Sequence, residues 1–141
     1  MSAAAPPGEI PLVLQRTETD CGAACLAMVL AWHGRTVALE QLRRSVGETE
    51  RGAHAAALVR AARLHGMKAR GFRVDRLDVL GRLPRASILH WRVQHYVVLD
   101  RIELHGVARL LDPARGPRRV TRDELDRDFT GVALVFEPAL L

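Results

Sequence analysis

Apolar residues follow two different periods along this chain, and the change falls near residue 66. Before it they recur at helical spacing, which predicts helices over about 21–33, 38–46 and 53–65. After it they fit extended segments, which predicts strands over 67–74, 86–91, 95–103, 107–112 and 131–137. Helices followed by strands predict an α+β fold, in which an N-terminal helical half packs on a C-terminal antiparallel sheet.

Polar residues mark the ends of two of the predicted helices. Thr19 or Asp20 is a natural N-cap for the first helix, which is apolar almost all round and is therefore expected at the centre of the fold. Thr121 is followed three residues later by Glu124, the spacing of a capping box, which predicts a short helix over 121–129.

Turn residues divide the C-terminal half. The strands over 95–103 and 107–112 are expected to pair as an antiparallel hairpin around residues 104–106. The segment DPARGP that follows is predicted to be a turn rather than part of a strand.

Length and composition favour one globular domain. The 141 residues, of which 48% are hydrophobic and 26% charged, suffice for one core. Residues 1–11 are rich in Ala and Pro and are expected to form a flexible arm, with the domain over 12–141. The chain has no apolar stretch long enough for a membrane span and no secretory signal at its start. We therefore expect it in the cytoplasm, or on the cytoplasmic side of a larger assembly.

The net charge of +5 does not indicate a nucleic-acid-binding protein. All of the basic residues except Lys68 are arginines, and they are scattered along the chain rather than clustered. The chain has six aromatic residues: two Trp, one Tyr and three Phe. They are too few for a basic patch with interleaved stacking side chains. We expect no nucleic-acid partner.

The two cysteines, Cys21 and Cys25, do not suggest a disulfide or a metal site. They lie four residues apart on one predicted helix, which is poor geometry for a disulfide. No histidine stands at a zinc-ligand spacing from this pair, so neither a metal nor another cofactor is expected.

Four residues in a particular order indicate thiol chemistry. Cys21 opens the first helix, where the helix dipole and free N–H groups favour a thiolate. His95 and Asp112 come at the start and end of two strands predicted to pair, so both are expected at one open end of the hairpin. His95 is the expected general base, Asp112 its orienting carboxylate, and Gln15 an amide donor to the oxyanion. This is the arrangement of a papain-like cysteine peptidase.

Residues beside these four were assigned by position. Gly22, Trp91 and Gln94 flank the nucleophile and the base and are predicted to contact the substrate. Cys25 is predicted to be a core residue, and His90 is a weaker alternative to His95 because it lies earlier on the preceding strand.

The motifs around these residues carry a resemblance to a known family. Its blocks are QRTETDCGAACLAMVLAWHGR, ERGAHAAALVRAARLHGMKARGFRV, ILHWRVQHYVVLDRI and LLDPARGPRRVTRDELDRDFTGVALVFEP. Over about 12–138 the chain resembles the cysteine peptidase domains of bacterial ABC transporters that process and export bacteriocins. One departure lies before the histidine, where Arg92–Val93–Gln94 replace the small or Asn residues frequent in the family.

The resemblance implies a papain-like fold and a specific reaction. The domain is expected to cut a precursor peptide after a double glycine, with Gln15, Cys21, His95 and Asp112 matching the family's functional positions. It implies a leader peptide that docks an amphipathic helix on an apolar surface, and a transmembrane exporter with an ATPase as partners, fused or separate.

Two other functions are compatible with the same residues. One is a docking domain that binds the leader without cutting it; an intact Cys21, His95 and Asp112 argue against this. The other is a papain-like acyl transferase that forms an amide bond. The mass of the product from a double-glycine precursor distinguishes all three.

Overall fold

The structure, a computed structural model, describes residues 6–47, 53–92 and 94–139. Three helices come first: α1 (Cys21–Trp32), α2 (Leu39–Val46) and α3 (Ala55–Leu64). The strands follow: β1 (Met67–Arg73), β2 (Ser87–Trp91), β3 (His95–Ile102), β4 (Ala108–Asp112), β5 (Gly116–Val120) and β6 (Phe129–Pro138). A helix α4 (Arg122–Asp128) precedes β6, and short 3₁₀ turns occupy Leu77–Arg82 and Leu104–Gly106.

The six strands form one antiparallel sheet in the order β1-β6-β2-β3-β4-β5. The last strand, β6, enters the middle of the sheet between β1 and β2. The predicted hairpin between β3 and β4 is present, and its pairing aligns Val98 with Leu111 and Ile102 with Ala108. The α+β fold expected from the sequence is therefore confirmed.

Helix α1 is buried against the sheet and supports the whole arrangement. All of its residues from Cys21 to Leu30 are buried, and it packs on β3 with α2 and α3 at its sides. Ile88 and Val98 face this helical layer, whereas their neighbours Leu89 and Val97 belong to a second cluster on the other face of the sheet. This alternation is the two-residue period of strands buried on both faces.

The structure differs from the prediction most after β4. DPARGP was expected to be a turn, but the chain turns within three residues and Gly116 already begins β5. Gly116 takes a φ of +91°, which glycine adopts readily, and pairs with Asp112 across the new hairpin. An edge strand with the sequence GPRRV has little hydrophobic alternation, so its pairing with β4 has no local sequence signal.

The N-terminal segment contributes to the core. Ile10 is 6% exposed and belongs to the cluster between the helices and the sheet. Residues 1–5 of the predicted arm lie outside the described part, and the division between arm and domain stays a prediction. Within the described ranges, none of the helices has the length and apolar character needed to cross a membrane.

Candidate active site

The site is organised around Cys21, the first residue of α1. The side chain lies at the N-terminus of a helix, whose first N–H groups have no partner within the helix and whose dipole favours negative charge. The residue is 3% exposed, so its surroundings are largely protein rather than water. A helix N-terminus is a position at which reactive cysteines are commonly found.

Asp20 fixes the chain that leads into α1, but not as the predicted cap. It occupies the N-cap position with helical backbone angles, φ −87° and ψ −2°, and its side chain makes no capping bond. Side-chain caps require an extended backbone at this position. Its Oδ2 instead accepts the backbone N–H groups of Arg16 at 3.2 Å and Thr17 at 3.0 Å, which closes the loop before the nucleophile position.

A buried ion pair ties this loop to the second helix. Asp20 is fully buried, and the guanidinium of Arg43 on α2 donates to it, with Nε 2.8 Å from Oδ1. A buried carboxylate needs such a partner, because an unpaired charge in the interior is costly. The start of α1 is therefore held in place from two sides.

His95 and Asp112 meet at the end of the sheet. Nε2 of His95, at the start of β3, lies 2.8 Å from Oδ1 of Asp112, at the end of β4. The Cys21 side chain acts on the same imidazole and raises its pKa. The three side chains therefore lie together, in the arrangement in which a carboxylate orients an imidazole beside a thiol.

The surroundings raise the pKa of His95. Burial of the imidazole lowers its pKa, but the hydrogen bonds to Asp112 and Cys21 and their negative charges outweigh burial and raise it to about 9. The protonated imidazolium is therefore the favoured form at neutral pH, as a thiolate–imidazolium pair requires.

Asp112 remains ionised in a nearly closed environment. Its side chain is 3% exposed, and burial acts to raise its pKa. Hydrogen bonds from His95 and from the backbone N–H of Ala114, the positive charge of His95 and a bond from Arg118 outweigh burial and lower the pKa to about 2. The Ala114 nitrogen lies 2.8 Å from Oδ1, and Nη1 of Arg118 lies 2.9 Å from Oδ2.

Gln15 lies against the same segment as Asp112. Its backbone N–H donates to the carbonyl of Pro113 at 2.8 Å, which brings the strand-like N-terminal segment to the end of β4. Its side-chain Nε2 donates to the carbonyl of Thr17 at 3.0 Å. Its Oε1 is buried and has no hydrogen-bond partner among the described residues. One side-chain N–H is thus used locally, and the second is available to another acceptor.

Comparison with known proteins shows which family the chain belongs to. Residues 9–140 match the model of the peptidase C39 family, which is nearly the whole chain. The chain belongs to the peptidase C39 family. It is a cysteine peptidase domain, and the papain-like fold that the sequence predicted is confirmed by solved structures of this family.

Two solved structures match the C39 domain closely. One is a crystal structure of a double-glycine motif protease from an AMS/PCAT transporter in complex with the leader peptide, with a TM-score of 0.87, 37% identity and 94% of both chains covered. The other is the peptidase domain of Streptococcus ComA, a bifunctional ABC transporter in a quorum-sensing pathway, with a TM-score of 0.84, 26% identity, and 92% of this chain and 99% of that chain covered.

Two curated relatives are much longer proteins. The probable microcin-H47 secretion/processing ATP-binding protein MchF of Escherichia coli is 40% identical over 129 residues, which cover 92% of this chain. The colicin V secretion/processing ATP-binding protein CvaB of the same species has the same identity and coverage. The C39 domain spans only 18% of the length of each.

Two predicted substrate contacts have a packing role in the C39 domain. A side chain at Gly22 would meet Leu58 at 3.1 Å and Ala53 at 3.2 Å, so the glycine allows α1 and α3 to approach closely. Trp91 is 4% exposed and belongs to the hydrophobic cluster on the far face of the sheet. The strand period turns its ring into this cluster, and substrate contact by Trp91 stays a prediction.

Gln94 lies beside the thiol and contributes its backbone. Its carbonyl oxygen is 4.0 Å from Sγ of Cys21, and the residue has a φ of +51°, uncommon for a residue other than glycine. Its side chain is exposed at the mouth of the site. Val93, in the segment where the sequence was expected to depart from the family pattern, lies outside the described residues.

The alternatives named from the sequence are placed elsewhere. Nδ1 of His90 lies 2.8 Å from Oγ1 of Thr130, and burial lowers the pKa of this histidine. Cys25 is fully buried one turn along α1, and burial, followed by the charges of Cys21 and Asp112, raises the pKa of its thiol well above 9. Cys25 is thus a core residue, as predicted.

Two residues near the site were not anticipated. Arg118 on β5 binds Asp112, and the hydroxyl of Tyr96 donates to the carbonyl of Ala53 at 3.1 Å, holding the segment before α3 against β3. Recognising β5 as a strand would have placed Arg118 near the site. Tyr96 directly follows His95 in an apolar strand, and a hydroxyl in such a strand needs a hydrogen-bond partner. Among the described residues, no group of three or more His, Cys, Asp or Glu is arranged to hold a metal ion.

Proposed function

We propose that this C39 domain removes leader peptides by cutting after a double glycine, with Cys21 as nucleophile, His95 as general base and Asp112 as orienting carboxylate. The observation that carries this proposal is the hydrogen-bonded pair of His95 and Asp112, 2.8 Å apart, beside the Cys21 side chain at the N-terminus of α1. The order and the element ends are those that thiol catalysis requires.

The first chemical step is attack on the scissile carbonyl. The Cys21 thiolate, paired with the His95 imidazolium, adds to the carbonyl carbon of the second glycine. Negative charge develops on the carbonyl oxygen, and the backbone N–H of Cys21 and the side-chain N–H of Gln15 are the proposed donors to it. One such donor typically contributes about 3–4 kcal/mol.

Proton transfer completes acylation and prepares hydrolysis. The His95 imidazolium gives its proton to the leaving amine, so the C–N bond breaks and a thioester to Cys21 remains. Neutral His95 then takes a proton from water, which attacks the thioester and releases the leader with a new carboxylate. Asp112 holds the imidazole in one orientation throughout both transfers.

The substrate class comes from the relatives. A double-glycine protease, seen with its leader peptide, and secretion/processing proteins of bacteriocins are what this chain is similar to. Glycines before the cut suit a narrow site such as one where Cys21 is only 3% exposed. We propose Gln94 at the mouth of this site as a substrate contact.

The proposed partners and location rest on the similarity to the same relatives. The named relatives are ATP-binding secretion proteins of which the matching part is a small fraction. We propose that the precursor peptide is processed in connection with export, by an exporter and ATPase either fused to this domain or separate. The site would then act in the cytoplasm or at the cytoplasmic face of the membrane.

Cleavage of a double-glycine precursor tests the proposal directly. Incubation of the domain with such a precursor, followed by mass spectrometry, is expected to give the leader and the mature peptide, with a gain of one water in their summed mass. Cys21→Ala is expected to abolish cleavage because no thiolate remains, while its circular dichroism and leader binding are unchanged. Cys25→Ala serves as the matched control and retains cleavage.

The same assay separates the other functions. A precursor that binds but stays intact with the wild-type domain supports a docking domain, and a condensation product of higher mass supports an acyl transferase. Full cleavage by the Cys21→Ala variant would rule out the assigned nucleophile.

A further inference from the structure

We propose that Arg118 is a positioning residue of this peptidase: it anchors one oxygen of Asp112 so that the other oxygen stays aligned with His95. This inference rests on the proposed function of Asp112 and extends it to a residue outside the Cys-His-Asp arrangement. It is carried by the geometry of three donors around one carboxylate.

The two oxygens of Asp112 have separate partners. Oδ1 accepts from Nε2 of His95 and from the backbone N–H of Ala114, each at 2.8 Å. Oδ2 accepts from Nη1 of Arg118 at 2.9 Å. The donors come from β3, from the turn after β4, and from β5, so each oxygen is fixed by a different part of the fold. Rotation of the carboxylate about its Cβ–Cγ bond would break bonds on both sides.

The bond to Arg118 is built by the hairpin that was absent from the sequence prediction. β4 and β5 align Asp112 with Gly116 and Leu110 with Arg118. Arg118 therefore lies diagonally across from Asp112, within reach of a long side chain but not of a short one. Its side chain is 25% exposed and that of Asp112 only 3%, so the pair is largely shielded from water. A charge-assisted bond in such a setting is stronger than one at the surface.

The consequence for the reaction concerns orientation. Without Arg118, Oδ2 loses its only side-chain donor among the described residues, and the carboxylate gains freedom to turn away from His95. His95 then spends less time with its imidazole directed at Cys21. Small misplacements of catalytic groups reduce rates strongly, so we expect loss of Arg118 to lower kcat. We expect KM to change little, because Arg118 is not proposed to contact the peptide.

Variants of Arg118 test this role by charge and by length. Arg118→Ala and Arg118→Met are expected to lower kcat on a double-glycine precursor by roughly tenfold to hundredfold, with KM within about twofold. Arg118→Lys keeps a cation of similar reach with one attachment point and is expected to recover part of kcat. A kcat of Arg118→Met equal to wild type would mean that only the aliphatic stem matters, and would overturn the proposal.

Arg119→Ala is the matched control. Arg119 is the next residue on β5, its side chain is 68% exposed, and its Nε lies 2.9 Å from Oε1 of Glu103. This substitution removes the same charge from the same strand without touching Asp112. It is expected to leave kcat unchanged. A drop in kcat equal to that of Arg118→Ala would mean that strand stability or net charge causes the effect, and would overturn the proposal.

A double-mutant cycle separates positioning from structure. The rate of Cys21 alkylation by iodoacetamide at pH 6 needs no turnover, so it remains measurable in weak variants. Arg118→Ala is expected to slow alkylation in the wild-type background but to have no further effect in Asp112→Ala. Equal slowing in both backgrounds would overturn the proposal, because Arg118 would then act independently of Asp112.

The outcome also distinguishes failure of this inference from failure of the proposed function. If Cys21→Ala and Asp112→Ala both abolish cleavage while Arg118→Ala keeps full kcat, only the role of Arg118 is wrong. If Cys21→Ala cleaves normally, the proposed function itself is wrong. The Asp112→Ala/Arg118→Ala variant removes both charges together. If it unfolds at a higher temperature than either single variant, loss of one charge alone leaves its partner buried and unpaired.

Discussion

Two cysteines one helical turn apart experience opposite environments. Cys21 lies at the free N-terminus of α1 and acts on His95, whose pKa it raises. Cys25 is fully buried, and burial raises the pKa of its thiol well above 9. The helix dipole acts mainly on the first turn, so only Cys21 benefits from it. Nearly identical covalent surroundings thus yield one thiol suited to attack and one suited to packing.

This difference predicts selective alkylation. At pH 6, iodoacetamide is expected to modify Cys21 at least about tenfold faster than Cys25, because a thiolate is the reacting form and Cys25 is neutral and inaccessible. Peptide mass spectrometry of a time course measures both rates. In urea at pH 9 the two rates are expected to become similar. Equal rates in the folded protein would argue against an activated thiolate at Cys21.

The start of α1 packs very closely against α3. Gly22 packs under both methyl groups of Leu58, at 3.1 Å and 3.3 Å from where a Cβ would lie. A larger residue would force the two helices apart and move the neighbouring thiol away from His95. The glycine was predicted to contact the substrate, and its close packing on Leu58 gives it a second role within the fold.

A size exchange between the two helices tests this packing. Gly22→Val is expected to destabilise the fold by about 1–3 kcal/mol, the usual range for overpacking, and to reduce cleavage. Leu58→Ala alone creates a cavity and is also destabilising. The double variant is expected to lose less than the sum of the two in urea unfolding, because the valine fills the space that Leu58 leaves. Strict additivity would contradict the packing role.

At the scale of the whole molecule, the charged pair of His95 and Asp112, proposed to serve catalysis, also links stability to pH. The pKa of His95 is raised from 6.5 to about 9, so its contribution is complete below pH 6.5 and is lost as pH rises toward 9. The pKa of Asp112 is lowered from 3.8 to about 2, so its contribution is complete above pH 3.8 and is lost as pH falls toward 2. Both contributions are present together between pH 3.8 and 6.5.

Urea unfolding across this range measures the linkage. Between pH 6.5 and 9 the free energy of unfolding is expected to fall by at most about 3 kcal/mol as His95 loses its extra proton. Asp112→Asn removes the carboxylate that raises the pKa of His95, so the variant is expected to show a smaller decline. A decline as steep in the variant as in wild type would mean that other groups cause it.

Much of the fold was predictable because its signals are local. The period of apolar residues located α1, α2, α3 and most strands to within about two residues, and Thr121 with Glu124 forms the predicted capping box. Of the two predicted N-cap residues, Thr19 and Asp20, Asp20 occupies the cap position, but its side chain does not cap the helix. Its cap position is a local property, whereas its pairing with Arg43 depends on how α2 folds back against that loop.

By itself, the sequence determined the chemistry and its order: an amide, a thiol, an imidazole and a carboxylate, each at the end of a periodic segment. Those are properties of residue type and short-range spacing. Only the tertiary structure decided that β5 joins β4 and brings Arg118 to Asp112, that Gly22 packs on α3, and that Trp91 faces the core. Strand register and the choice of sheet face are set by contacts between distant residues, and no local pattern encodes them.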